Sequence, residues 1–140
     1  VPGEPAQPAA QRELLEETGY RADSWTELLD VATSPGFSEE TVRIFLATGM
    51  SFVGRPDGPD DEEAELRVVW VPLRAAVQAA LAGSIVNVMA VAGVLAADAV
   101  LRGIATPVAR PDPAEPDAPW TVYRGAGTPS APPLDGAREL

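Results

Sequence analysis

Glu13, Glu16 and Glu17 lie within "QRELLEETGY", residues 11–20, at positions i, i+3 and i+4. On a helix these positions share one face. Three like charges there repel, so either the face is simply solvated or a cation sits among the carboxylates. Glutamate is common on exposed helices, and the spacing alone leaves the solvated reading open. The chemical reading is a hard divalent ion, because carboxylate oxygens are its preferred ligands. Two such ions could neutralise a diphosphate and polarise both its attacking and its leaving oxygen.

The rest of the composition narrows the chemistry. The 140 residues contain no cysteine and no histidine. There is therefore no disulfide and no thiolate nucleophile, and the commonest general base and transition-metal ligand is missing. Carboxylates must do most of any chemistry, and any metal is held by oxygens, which favours Mg, Mn or Ca. The net charge of -11 argues against nucleic acid or an anionic membrane as a partner held by charge attraction. It does not exclude a polyanionic substrate, provided divalent cations lie between. The most apolar stretch, Ile85 to Ala97, contains Asn87 and is shorter than the roughly 20 residues that span a bilayer. It reads as a buried helix.

These residues need elements to hold them. Val1 to Pro8 reads as a proline-rich loop. Strong helix formers predict a helix over Ala9 to Thr18, with Gly19 as its C-terminal cap. Trp25 to Thr33 and Thr41 to Ala47 read as strands, the second, "TVRIFLA", rich in β-branched and aromatic residues. "SPGFSEE" joins them, with Pro35 and Gly36 as turn residues. After the acidic stretch Gly54 to Glu65, "LRVVWVP" reads as a short strand ended by Pro72. Helices are expected over Leu73 to Ala82 and Asn87 to Arg102, each stopped by a glycine. From Pro107 onward, eight prolines in 34 residues and no apolar periodicity predict an extended, mostly disordered tail. Trp120, Val122 and Tyr123 could dock locally.

The glutamates belong to a longer pattern. Glu4 is followed by seven residues, then Arg12-Glu13-Leu14, then Glu16-Glu17, Gly19 and bulky Tyr20. This resembles the Nudix box, Gx5Ex7REUxEExGU, entered after its first glycine. Tyr20 is a less usual choice at the last, normally aliphatic, position. The resemblance implies an α/β fold: the Nudix α/β/α sandwich with a mixed sheet, incomplete here because the N-terminal strands are missing. It implies hydrolysis of a nucleoside diphosphate linked to another moiety, with Mg²⁺ (Mn²⁺ possible) as cofactor. Glu13 and Glu17 take the places of the main metal ligands and Glu16 that of a supporting one. Glu4 and Arg12 resemble the pair that holds the loop against the helix.

Pro35 stands fifteen residues beyond Tyr20, as in the ADP-ribose pyrophosphatase branch. "SPGFSEETVRIFLATG", the acidic loop, "W-V-P" and "GSIVNVMAVAGVLA" are similar to bacterial members of that branch, actinobacterial forms above all. The resemblance runs from about Pro2 to Gly103. It implies a Nudix domain over residues 1–104 and a proline-rich tail over 105–140. Ser34, Pro35, Gly36 and Glu40 resemble positions that contact the substrate, although an ordinary turn and an exposed strand-end charge would look the same. On the acidic loop, Asp57 to Glu65, the family implies a glutamate that acts as general base once the loop closes. Glu63 aligns best, with Glu62 as the alternative; a solvated connection is the plain reading of the same loop.

The expected activity is Mg-dependent hydrolysis of ADP-ribose, or a related nucleoside diphosphate sugar, to AMP and ribose 5-phosphate. Alternatives are a Nudix hydrolase of another nucleoside diphosphate, or a non-catalytic ADP-ribose-binding module. The last usually lacks a box glutamate, and all three are present here. The chain starts at Val1 without an initiator methionine and reads as a fragment, itself expected to be inactive. The full-length parent is expected to be a cytoplasmic homodimer that takes a small nucleotide substrate, with no nucleic acid and no membrane as partners.

Overall fold

The computed structural model describes residues 3–34, 36–37, 40–56 and 67–110. Its elements run α1 (Ala6–Thr18), β1 (Tyr20–Ala32), β2 (Thr41–Phe52), α2 (Leu73–Leu81) and α3 (Val88–Leu101).

α1 begins three residues earlier than expected. Pro5 is its N-cap, and the first helical bond runs from Ala9 N–H to Pro5 C=O at 3.1 Å. Pro8 therefore lies inside the first turn, where a missing N–H costs nothing because no intrahelical acceptor awaits it. The other end is where the sequence puts it. Gly19 is left-handed, with φ 75°, and donates to Leu15 C=O at 2.8 Å. A side chain at Gly19 would meet the Phe52 ring at 2.9 Å and Arg55 N at 3.1 Å. Glycine thus meets two needs here, the reversed backbone and the close approach of the chain leaving β2. Val53 and Gly54 N–H both donate to Gly19 C=O, at 2.8 and 3.1 Å.

β1 and β2 form an antiparallel pair running from Tyr20↔Phe52 to Ala32↔Thr41. Both are longer than the apolar pattern predicts, because the ladder continues through polar residues such as Arg21, Ser24, Thr48 and Ser51. The register shifts once, between Glu27 and Leu29, so Leu28 is the extra residue of a β-bulge. Among the described residues these are the two strands of the sheet.

Residues 67–72 do not form the expected strand. β-branched residues suit a pleated surface, but a strand exists only where a neighbour completes its ladder. Here β1 and β2 pair with each other, and Val68, Val69, Trp70 and Val71 stay exposed. Pro72 instead caps α2.

α3 is a helix, as expected, but not a buried one. Asn87 Oδ1 accepts from Met89 N–H at 3.0 Å and Ala90 N–H at 3.1 Å, which sets the helix start at Val88. Of its residues only Ala97, at 7 % exposure, is buried. It comes close to the sheet at Gly93, where a Cβ would lie 3.2 Å from Ile44. Side chains alternate across a strand, so α3 lies against the face opposite to Arg43 and Phe45. α1 borders the other face, in a groove lined by Gln11, Arg12 and Leu15 from the helix and Arg21, Ala22 and Trp25 from β1. The result is helices on both sides of an open sheet, a partial α/β/α sandwich.

Candidate active site

The side chain that organises α1 is Arg12. Its Nε and Nη2 donate to the two oxygens of Glu4, at 3.3 and 3.1 Å. Nη2 also lies 2.8 Å from Glu13 Oε1, and Nη1 donates to Glu16 Oε2 at 2.8 Å. One planar guanidinium thus holds the loop residue Glu4 and two helix glutamates, which a point-charge ammonium could not do in this geometry. The Arg12 hydrogen bonds favour the charged form of Glu4 and hold its carboxyl below the ordinary value of 4.5. The same contacts, with Glu4 first and Glu13 next, raise the guanidinium above its ordinary value.

Glu17 is exposed, and among the described residues it makes no hydrogen bond or ion pair. Glu13 is exposed one turn before it. Among the described side chains, Glu4, Glu13, Glu16 and Glu17 bring four carboxylates to one paired guanidinium, that of Arg12. The donor set is all carboxylate oxygen, which fits Mg²⁺ or Mn²⁺. The side chains do not yet converge: among the described residues no three acidic groups stand together as a set of metal ligands. Glu13 and Glu16 are turned onto Arg12, so an ion would have to draw them from that contact.

The expected substrate residues sit at the far end of the hairpin. Phe37 N–H donates to Ser34 C=O at 3.0 Å, closing a four-residue turn with Gly36 at φ 87°. A positive φ at the third position is what a type II turn demands. Glu40 is fixed at the mouth of this turn. Its C=O accepts from Thr33 N–H at 3.1 Å, and its Oε2 accepts from Thr33 Oγ1 at 3.1 Å. No described bond links this turn to Glu13, Glu16 or Glu17. The thirteen residues of β1, about 40 Å of extended chain, separate Gly19 from it.

A family model for the NUDIX domain matches residues 1–90 of the chain, and these residues contain α1, its glutamates and the hairpin. The chain belongs to the NUDIX family. It is 50% identical over 107 residues to an ADP-ribose pyrophosphatase of Mycobacterium tuberculosis, covering 76% of this chain and 51% of that protein. An ADP-ribose pyrophosphatase of Bacillus subtilis is 43% identical over 61 residues, 44% of this chain and 33% of the relative. A methanol dehydrogenase activator of Bacillus methanolicus is 41% identical over 61 residues, again 44% and 33%. The chain thus spans about half the length of the first of these relatives and a third of the other two.

Within this NUDIX chain the structure describes six of the nine expected site residues. Glu13, Glu16 and Glu17 share α1, and Ser34, Gly36 and Glu40 share the hairpin turn. Pro35, Glu62 and Glu63, with the Asp57–Glu65 loop, lie outside the described residues. The role of Tyr20, the unusual last residue of the box, is an aromatic one. Its ring stands edge-on to Phe52 at 5.2 Å and to Trp70 at 5.3 Å. Trp70 Nε1 donates to the Tyr20 hydroxyl at 3.4 Å. An aliphatic residue there could neither accept that bond nor offer an aromatic edge. Sequence reasoning missed this cluster because it joins residues 50 positions apart.

Proposed function

We propose that the chain is the catalytic portion of a Mg²⁺-dependent hydrolase that cleaves the pyrophosphate bond of ADP-ribose, or a related nucleoside diphosphate sugar. Water adds across the P–O–P linkage, and the products are AMP and ribose 5-phosphate. The observation that carries this reading is the surplus of carboxylate over guanidinium on α1, with all three box glutamates in place. The 50% identity to the M. tuberculosis ADP-ribose pyrophosphatase supports the substrate.

In this proposal Glu13 and Glu17 hold Mg²⁺ (or Mn²⁺) with help from Glu16, while Arg12 and Glu4 keep the loop against the helix. Bound there, the metal neutralises diphosphate charge that the acidic chain would otherwise repel. Glu63, or Glu62, accepts the proton of the attacking water. Ser34, Pro35, Gly36 and Glu40 contact phosphate and ribose, the Glu40 carboxylate accepting from ribose hydroxyls. The parent protein acts as a homodimer, in which one subunit's hairpin and the other's α1 could meet the same substrate across the length of β1. We assign the NUDIX domain to residues 1–104 and place the parent protein in the cytoplasm, acting on a small nucleotide, not on nucleic acid or membrane. Among the described residues no helix is long and apolar enough to cross a membrane.

A second reading keeps the reaction and changes the substrate to another nucleoside diphosphate derivative. The similarity to the B. methanolicus methanol dehydrogenase activator favours keeping it open. The test is AMP release from ADP-ribose by the full-length parent with Mg²⁺, beside other nucleotide sugars and dinucleotides. Preferential turnover of ADP-ribose is expected, with little or none by the 140-residue chain alone. Faster turnover of another substrate selects the second reading, and no turnover of any removes both.

A further inference from the structure

A charge cluster on the sheet takes no part in the proposed chemistry. In β1, Glu27 is paired with Phe45, Leu29 with Ile44 and Asp30 with Arg43. In an unbroken strand, residues 27 and 30 would point to opposite faces. The bulge at Leu28 inserts one residue and brings both carboxylates onto the face that carries Arg43 and Phe45. Arg43 meets Asp30 side-on, Nε to Oδ1 at 3.0 Å and Nη2 to Oδ2 at 3.3 Å. Its Nη1 reaches Glu27 Oε1 at 3.5 Å. The Arg43 side chain is only 4 % exposed. On its own, Arg43 leaves this pair of carboxylates one positive charge short.

Arg110 supplies that charge from 83 residues away. Its backbone N–H donates to Glu27 Oε2 at 2.9 Å, and its Nε lies 3.2 Å from Asp30 Oδ2. Main chain and side chain are held by different carboxylates, which fixes the position of the residue as well as its charge. Arg110 Nε and Nη2 are buried without a hydrogen-bond partner among the described residues, so the contact is governed by charge. It also carries the chain around the sheet, since α3 lies against the Ile44 face and Glu27 and Asp30 are on the other.

We propose that the bulge-built pair Glu27/Asp30 is an intramolecular receptor for Arg110, and that this docking fixes where the proline-rich C-terminal segment leaves the domain. The exit point lies on the α1 side of the sheet, beside the base of the Ser34–Glu40 hairpin. Residues 104–110 then do not run on freely from α3 but are held to the face of the sheet that bears the acidic helix.

The experiment is amide hydrogen exchange on the 140-residue chain and on Arg110→Gln and Arg110→Lys. Arg110→Gln should speed exchange over residues 104–110 by about tenfold or more, with α2 unchanged as the internal control. Arg110→Lys keeps the charge and loses the fork, and should fall between. Adding Asp30→Asn to Arg110→Gln should speed residues 104–110 little further, because the side chain that Asp30 holds is already lost. Unchanged exchange over 104–110 in Arg110→Gln overturns the proposal, as does equal acceleration in α2 or full additivity of the two changes. If Arg110→Gln does not fold, Arg110→Lys decides, and exchange equal to wild type overturns the proposal.

Discussion

Two arginines organise this chain, Arg12 on α1 and Arg43 on β2. Arg12 is 35 % exposed and is paired with three carboxylates, Glu4, Glu13 and Glu16. Arg43 is 4 % exposed and stands with Arg110 between two. Among the described residues the hairpin cluster is balanced, two charges against two, which offsets the desolvation of a buried ionic group. The helix cluster is unbalanced and wet. A surplus of negative charge is tolerable at a solvated surface, and it is what a site for divalent cations requires before the ion arrives. Similar residue types thus make a finished structural joint in one place and an unfinished binding surface in the other.

If that contrast is right, substitutions in the two clusters should fail in different ways. The largest effect is expected for Glu17→Gln in the full-length parent, which removes charge and keeps shape. Nearly all AMP release should be lost, more than the roughly 10–100-fold typical of a metal's outer-shell partners, while thermal unfolding stays near wild type. Undiminished turnover at saturating Mg²⁺ would remove Glu17 from the metal site. Next comes the base. Glu63→Gln should lower kcat by about 10²- to 10⁴-fold with substrate affinity nearly intact, and Glu62→Gln should do less. If neither moves kcat, the acidic loop is a lid or spacer.

The hairpin cluster should respond in stability. Arg43→Met leaves two carboxylates beside a buried position with Arg110 alone to offset them, and breaking a buried pair costs about 3–5 kcal/mol. Denaturant midpoints of Arg43→Met and Arg12→Met measure the contrast directly, and the Arg12 change should be far milder because water reaches its partners. Equal losses would mean that the two clusters are the same kind of object.

The smallest effect is one of pH. Glu4 is held below its ordinary value of 4.5 by Arg12, so the pairing stabilises the fold above that pH. This contribution fades as pH falls through the folded-state value. Melting temperatures of wild type and Glu4→Gln should therefore differ most above about pH 4.5 and converge in acid. A gap that widens on acidification would have the wrong sign for this pairing.

The sequence made some of these features legible and hid others. The end of α1 at Gly19 follows from local chemistry, and so do the hairpin turn at Ser34 to Phe37 and the Asn87 cap. A few adjacent residues determine each of them. Pro8 misled because a proline reads as a break, although in a first helical turn it is no obstacle. "LRVVWVP" misled because β propensity describes a surface that suits a ladder but does not provide the ladder. The bulge at Leu28 and the docking of Arg110 could not be read at all. One depends on strand register and the other on a contact spanning most of the chain. The glutamate face was visible from its spacing, but the turning of Glu13 and Glu16 onto Arg12 was not.

The contrast between the clusters requires that α1 be a cation site and the hairpin cluster not be one. Mn²⁺ titration of the 140-residue chain, followed by electron paramagnetic resonance, tests this without any catalytic readout. Wild type should bind Mn²⁺, Glu17→Gln should weaken binding by about tenfold or more, and Glu27→Gln should leave it unchanged. Binding unaffected by Glu17→Gln, or weakened as much by Glu27→Gln, would contradict the account.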